Sequence, residues 1–106
     1  MALQQFLYKL TLVPNLHDDG NWTERENNIV GEHFRYLQGL QKEGKLILAG
    51  RTMNESAHTF GIVIFLAESE TEAKQIMEND PAVDQGVMIA EVFPYKVALF
   101  NNQFEG

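Results

Sequence analysis

The 106-residue chain is 44% hydrophobic and 22% charged, with a net charge of −7 and no cysteine, and we expect one domain over residues 1–106. The acidic balance argues against a nucleic-acid-binding surface, and the lack of cysteine excludes disulfides, thiolate nucleophiles and zinc–thiolate sites. Because the longest apolar run, Ile62 to Ala67, is too short to span a bilayer and residues 1–5 do not resemble a signal peptide, we expect a cytoplasmic protein without a membrane partner.

The first predicted strand runs from Phe6 to Val13, where one face is wholly apolar and the other mixed. A polar loop from Pro14 to Trp22 follows and contains His17-Asp18-Asp19-Gly20. Adjacent ligands on a short loop rarely complete a coordination shell, so we predict a solvated turn and no metal site. We expect Trp22 to be a packing anchor or a lid over a binding pocket.

Thr23 to Gly44 is predicted to form one amphipathic helix. Thr23 and Glu26 form a capping box at its start, and Gly44 is expected to end it in left-handed geometry. His33 falls in the apolar stripe that should face the core, together with Ile29, Val30, Leu37 and Leu40. It is therefore either a core histidine held by one hydrogen bond or a pocket imidazole that transfers a proton near neutral pH.

Lys45 to Met53 and Thr59 to Ala67 are predicted to pair as a hairpin. The unbroken apolar run at residues 46–49 predicts burial on both faces. Gly50 then marks a bulge or a close approach of the backbone to another group. Arg51 at the strand end is either part of a surface ion pair or an anion clamp at a pocket mouth.

Ser69-Glu70-Thr71-Glu72 is a second capping box, and it predicts a helix that ends by Asp80 because Pro81 disfavours helical dihedrals in its predecessor. Asp80 is then the cap of a short helical piece, a structural role that is compatible with a second one. The last predicted strand runs from Gly86 to Phe100 and is interrupted by Pro94.

The order strand, helix, strand, strand, helix, strand predicts an α+β, ferredoxin-like βαββαβ fold, a four-stranded antiparallel sheet with two helices on one face. The other face also carries apolar residues, which would be exposed to solvent in a monomer. We therefore predict a homodimer through the helix-free sheet face, with sheet packed on sheet.

Four segments carry a family resemblance: Glu32-His33-Phe34 with Leu37 and Leu40, Gly44-Lys45-Leu46 leading to Ala49-Gly50, Ala67-Glu68-Ser69-Glu70, and Asp80-Pro81-Ala82-Val83 followed by Gly86-Val87. With this ordered set the chain resembles the YciI-like (YCII-related) family of dimeric α+β-barrel proteins. The resemblance implies a ferredoxin-like fold, a dimer and an active site with a histidine and an aspartate, here His33 and Asp80. It also implies cofactor-free chemistry on small cyclic or aromatic-derived acids, as in some relatives. Arg51 stands where the family often has proline.

Several functions remain open at this point. A carboxylate bonded to one nitrogen of His33 would fix the tautomer for general acid–base chemistry, as in a cofactor-independent lyase, isomerase or hydrolase acting on a small organic acid. Arg51, or main-chain amides near Gly50 and Gly86, would then hold a developing oxyanion. The alternatives are a non-catalytic small-ligand binding or sensing dimer with the same pocket, a purely structural His33–Asp80 tie, and a monooxygenase, since fold does not determine function.

Overall fold

The fold is a four-stranded antiparallel sheet with its helices on one face. The structure, a computed structural model, describes residues 2–55 and 57–104, so positions 1, 56, 105 and 106 of the predicted domain lie outside it. The elements are β1 (Gln4–Leu12), α1 (Glu24–Lys42), β2 (Leu46–Arg51), β3 (Gly61–Ala67), α2 (Glu70–Glu78), α3 (Pro81–Asp84) and β4 (Met88–Pro94). The strand order is β2-β3-β1-β4, which confirms the predicted α+β architecture.

The core lies between the sheet and the helices. Alternate residues of β1 (Phe6, Tyr8 and Leu10) are buried because successive side chains of a strand point to opposite faces. Tyr8 pairs with Val63 across the strands, and its ring meets that of Phe65 edge-on at a centroid distance of 5.4 Å. The helices supply the opposite wall of the core, with Leu37 and Leu40 from α1 and Ala73 and Met77 from α2.

Capping residues define where α1 and α2 begin, but their hydrogen bonds differ between the two helices. The predicted box at α1 is confirmed, since Thr23 accepts from the amide of Arg25 at 3.2 Å and its own amide donates to Glu26 at 2.7 Å. At α2 only half of the predicted box forms. Ser69 caps the helix, accepting from the Glu72 amide, whereas the Glu72 carboxylate accepts from the amide one residue before Ser69. Gly44, with φ of +75°, follows α1 in the left-handed geometry that glycine tolerates.

Strand β2 differs from its prediction. The hairpin with β3 is confirmed, but the register shifts between Leu46 and Leu48, so the irregularity lies at Ile47, while Gly50 pairs regularly with Ile62. Ile47 and Leu48 are 40% and 47% exposed. The prediction of burial on both faces was wrong, because the sheet carries helices on one face only and little packs over β2 at its edge.

Strand β4 ends at Pro94, six residues before the predicted end. Proline has no amide to donate to the ladder. The chain continues beside the start of β1, where Gln5 accepts two hydrogen bonds. Its backbone carbonyl accepts from the Tyr95 amide at 3.1 Å, and its side-chain oxygen accepts from the Val97 amide at 2.6 Å. Leu99, farther along, is 93% exposed.

The helix-free face of the sheet carries the alternate residues of the strands. Ile89 and Phe93 on β4 are 53% and 44% exposed. Between them Glu91 lies opposite Lys9 of β1, and the Lys9 ammonium sits 4.7 Å from the centre of the Phe60 ring. Homodimerisation through this face stays a prediction. In the part of the chain that the structure describes, no helix is long and apolar enough to cross a membrane.

Candidate active site

Three segments that are distant in sequence meet beneath helix α1. Tyr8 comes from the middle of β1, His33 from the core-facing stripe of α1, and Asp80 from the N-cap of α3. Asp80 holds its position as a cap, since its Oδ1 accepts from the Ala82 amide at 3.0 Å and Pro81 begins the helix with a favourable fixed φ. Local capping chemistry therefore points this carboxylate toward the sheet and α1.

The Asp80 carboxylate is the centre of the cluster and is fully buried. Nδ1 of His33 lies 2.7 Å from Oδ1 and 2.8 Å from Oδ2. The Tyr8 hydroxyl, also fully buried, donates to Oδ2 at 2.7 Å. A buried carboxylate needs several donors to be tolerated, and here a hydroxyl, an amide and an imidazole supply them.

The hydrogen-bond network assigns the histidine tautomer. The Ala82 amide can only donate, and the Tyr8 hydroxyl, whose hydrogen bond goes to Asp80, donates as well. A carboxylate that accepts on both oxygens leaves His33 to donate from Nδ1. The lone pair of the neutral ring therefore lies on Nε2.

Burial and negative charge keep nearby phenols protonated. Burial raises the pKa of Tyr8 well above its usual range, and the charge of Asp80 and the hydrogen bond to it raise this pKa further. Burial, followed by the charges of Asp80 and Glu43, raises the pKa of Tyr36 to about 12. The Tyr36 hydroxyl does not join the cluster and donates to the Ile76 carbonyl at 2.7 Å.

Next to the cluster lies a cavity of about 1050 Å³ between α1 and the β2–β3 hairpin. The His33 side chain is 14% exposed and lines this cavity. Among the described residues, no buried side-chain nitrogen or oxygen lacks a hydrogen-bond partner, yet the hydrogen bonds of His33 involve only Nδ1. Nε2 is therefore not fully buried, and the ring that carries it lines the cavity. Much of the lining is aliphatic, and its aromatic and polar residues include Trp22, Phe34, Phe60, Asp19, Gln38, Gln41, Arg51 and Asn54.

The structure brings some of the other predicted site residues to this cavity. Trp22, Gly50 and Arg51 line it, and the Trp22 indole is held by donating to the Leu16 carbonyl at 2.9 Å. Arg51 is exposed, and within the described ranges it forms no ion pair. Gly86 is not part of the lining, because it turns the chain after α3 with φ of +75° and its amide donates to the Val83 carbonyl.

Tyr8 is the site residue that the sequence analysis missed. Because Tyr8 lies on the apolar face of the first predicted strand, the pattern indicated only a core residue. A signal was present, since a buried phenol hydroxyl usually requires a hydrogen-bond partner, but the sequence does not say which residue provides it.

The His17-Asp18-Asp19-Gly20 segment forms two 3-10 turns, Pro14–His17 and Asp19–Asn21. Two of its side chains form hydrogen bonds with nearby backbone: Asp18 accepts from the Gly20 amide at 2.9 Å, and the His17 ring lies 3.2 Å from the Leu12 carbonyl. Within residues 2–55 and 57–104, no three His, Cys, Asp or Glu side chains are placed to hold a metal ion.

Comparison with known proteins gives one family and several structural neighbours. The YCII-related domain matches residues 10–96. The structure is similar to the 5-chloro-2-hydroxyhydroquinone dehydrochlorinase TftG from Burkholderia phenoliruptrix AC1100, solved with 2,5-dihydroxybenzoquinone (TM-score 0.65, 23% identity, covering 87% of this chain and 93% of that one).

Two further neighbours are more distant in sequence. SnoaB, a cofactor-independent oxygenase from Streptomyces nogalater, has a TM-score of 0.51 at 6% identity, covering 97% of this chain and 100% of that one. The structural-genomics protein YJCS has a TM-score of 0.50 at 17% identity, with 91% and 99% covered. No curated protein matches the chain. At these identities the neighbours establish the fold alone.

Proposed function

The chain belongs to the YCII-related family, and from that premise we propose that it is a cofactor-independent small-molecule enzyme that uses His33 and Asp80 as a general acid–base pair. One observation carries the proposal: a fully buried carboxylate binds Nδ1 of His33, while the ring lines a cavity of about 1050 Å³ and its hydrogen bonds leave Nε2 for a ligand. A histidine retained only as a structural tie has no need of a ring nitrogen exposed to a cavity of ligand size.

Nε2 would take a proton from a carbon next to a carbonyl or from a hydroxyl, and would return it to a neighbouring carbon or a leaving group. Lyases, isomerases and hydrolases share this step. Asp80 would hold the ring in one orientation and stabilise the imidazolium as it forms. General acid–base assistance of this kind is worth about 10²–10⁴-fold in rate.

The cavity lining supports a flat, anionic ligand. Arg51 is its only guanidinium among the described residues and would pair with a carboxylate or phenolate. The aromatic side chains Trp22 and Phe34 would pack against a ring, and Gly50 lies in the same wall. We therefore propose small aromatic or cyclic acids and hydroxyquinols as substrates. The substrate named for the dehydrochlorinase neighbour is of this type.

The test combines a binding assay with a reaction assay. The single tryptophan, Trp22, lines the cavity, so its fluorescence should report binding of 2,5-dihydroxybenzoquinone and of simple aromatic acids. Turnover is followed as chloride release from 5-chloro-2-hydroxyhydroquinone and as deuterium incorporation from D₂O into small carbonyl acids. We expect His33→Ala to lower any turnover by about 10²-fold or more while binding persists.

The matched control is His58→Ala, because His58 is exposed and does not line this cavity, and it should leave turnover unchanged. If His33→Ala folds and all activity persists, the acid–base proposal fails. Ligand binding without any turnover in the wild type would instead assign the cavity to a binding or sensing protein.

We also propose that the protein is a homodimer in which the helix-free sheet faces of two copies pack together. Support comes from Ile89 and Phe93, which are 53% and 44% exposed on this face, since stable interfaces bury such side chains. Ile89→Glu should convert a dimer to a monomer in analytical ultracentrifugation. Leu99→Glu, which changes an apolar residue beyond the end of β4, should not. A monomeric wild type at micromolar concentration would contradict the proposal.

A further inference from the structure

We infer that Tyr8 is a positioning residue of this site: its hydroxyl holds Asp80 as a hydrogen-bond acceptor and thereby keeps the lone pair of His33 on Nε2, facing the cavity. The inference rests on the proposed acid–base function and adds to it the group that sets which nitrogen is the base.

Tyr8 acts through Asp80, because it cannot reach a ligand itself. Its side chain is fully buried and lies outside the cavity lining, and its hydroxyl donates to Oδ2 of Asp80 at 2.7 Å. Strand β1 lies between β3 and β4, so Tyr8 is paired with Val63 on one side and Val92 on the other. The ring also packs edge-on against Phe65. The phenol is therefore a donor on a strand that is hydrogen-bonded on both sides.

The carboxylate has one fixed donor on each oxygen besides the histidine. The Ala82 amide donates to Oδ1 and the Tyr8 hydroxyl to Oδ2, and Nδ1 of His33 lies nearly equidistant from both oxygens. Because each oxygen already accepts a hydrogen bond, a proton on either one would point toward another donor hydrogen, which disfavours the protonated carboxyl group. His33 must then donate from Nδ1, and the lone pair stays on Nε2.

Without the Tyr8 hydroxyl, Oδ2 keeps only the histidine as a partner. The carboxylate then takes up a proton more readily: the Nδ1 proton moves to Oδ2, Nε2 takes a second proton from the solvent, and the neutral carboxyl group donates to Nδ1. The ring hydrogen then lies on Nε2, and the base is lost from the cavity. Burial and the charge of Asp80 raise the pKa of Tyr8, so the wild-type hydroxyl remains a donor across the neutral range.

The experiment is ¹⁵N NMR of the His33 ring in the free protein at mildly alkaline pH, where the shifts distinguish a protonated nitrogen from one with a lone pair. The wild type should show a proton on Nδ1 and a lone pair on Nε2. At the same pH, the ratio of this form to the form with the ring hydrogen on Nε2 should fall by about tenfold in Tyr8→Phe, the effect of one lost hydrogen bond to a charged group. An unchanged ring spectrum in folded Tyr8→Phe overturns the inference, as does a wild type with its proton on Nε2.

Tyr36→Phe is the matched control, because it also removes a phenol hydroxyl that donates at 2.7 Å, in this case to the Ile76 carbonyl. It should leave the His33 ring signals unchanged, and an equal change in both variants would overturn the inference. Should Tyr8→Phe fail to fold, tyrosine is replaced by 3-fluorotyrosine in the Tyr36→Phe background. This stronger donor draws charge from Asp80 and should shift the proton resonance on Nδ1 of His33, and a static resonance overturns the inference.

These readouts need no substrate, so they separate the inference from the proposed function. If His33→Ala leaves turnover intact, the acid–base function fails whatever the ring spectra show. If a substrate is found, Tyr8→Phe should lower kcat, by up to about tenfold, without changing KM, since Tyr8 does not touch the ligand. A change confined to KM would assign Tyr8 to binding and overturn the inference.

Discussion

Replacing Asp80 by alanine should destabilise the protein far more than the loss of an exposed carboxylate would. The side chain caps α3 through the Ala82 amide and accepts from Tyr8 and His33 while fully buried. Losing the cap costs about 1 kcal/mol, and leaving the Tyr8 hydroxyl buried without an acceptor costs about 1–3 kcal/mol. The His33 ring is partly exposed, so water can replace its lost partner. We expect the free energy of unfolding to fall by about 2–4 kcal/mol.

Asp80→Asn should separate this structural role from the proposed chemical one. The amide oxygen can still accept from Ala82, and its NH₂ group can donate to the Tyr8 oxygen, so the loss of stability should be about 1 kcal/mol. The amide carries no charge, however, so it no longer stabilises the imidazolium that forms when Nε2 takes a proton. Turnover should then fall by about 10²–10⁴-fold in a protein that remains folded.

The assay is urea unfolding followed by Trp22 fluorescence, with the slope against urea checked for constancy across variants. Asp84→Ala is the control, since Asp84 is an exposed acid on the same short helix, and it should change stability by less than about 0.5 kcal/mol. A loss below about 1 kcal/mol in Asp80→Ala, or an equal loss in Asp84→Ala, would refute the reasoning from burial and hydrogen bonding.

Two further predictions concern the pH dependence of stability. The Thr23 hydroxyl and amide lower the pKa of Glu26 from 4.5 to about 2, so its contribution is present above pH 4.5 and is lost as the pH falls toward 2. Urea unfolding of Glu26→Gln should show a shallower loss of stability over this range, and equal pH slopes would contradict the prediction. Burial and the charges of Asp80 and Glu43 raise the pKa of Tyr36 to about 12, so the phenol stays neutral in the folded protein. Its contribution to the free energy of unfolding is lost as the pH rises from 10 through 12. The tyrosinate absorbance of wild type minus Tyr36→Phe should therefore show an ionisation near pH 12, and one near pH 10 would refute this.

Local signals predicted those features that neighbours in sequence determine. The Thr23–Glu26 box, the left-handed Gly44 and the cap at Asp80 each depend on residues within a few positions of one another, and the structure has all three. The second box formed only in part because the Glu72 carboxylate had two backbone amides within reach, and the sequence does not decide between them.

Features that depend on distant neighbours were harder to predict. The apolar run of β2 is typical of a strand buried on both faces, but β2 lies at the sheet edge, and the sequence does not give the strand order. His33 was found from its place in the helical stripe, whereas its partner was suggested only by the family resemblance. Tyr8 was not found because its contact with Asp80 joins residues 72 positions apart.

This separation along the chain has a kinetic consequence. The cluster joins β1 to α3 over 72 residues and α1 to α3 over 47, and closing such long loops is entropically costly and typically slow. A chain with only its helices and the β2–β3 hairpin formed would have no Tyr8–Asp80–His33 cluster. During refolding, the Tyr8–Asp80 hydrogen bond should therefore appear only once β1 has joined the sheet, so a partly folded chain would lack the donor that holds Asp80.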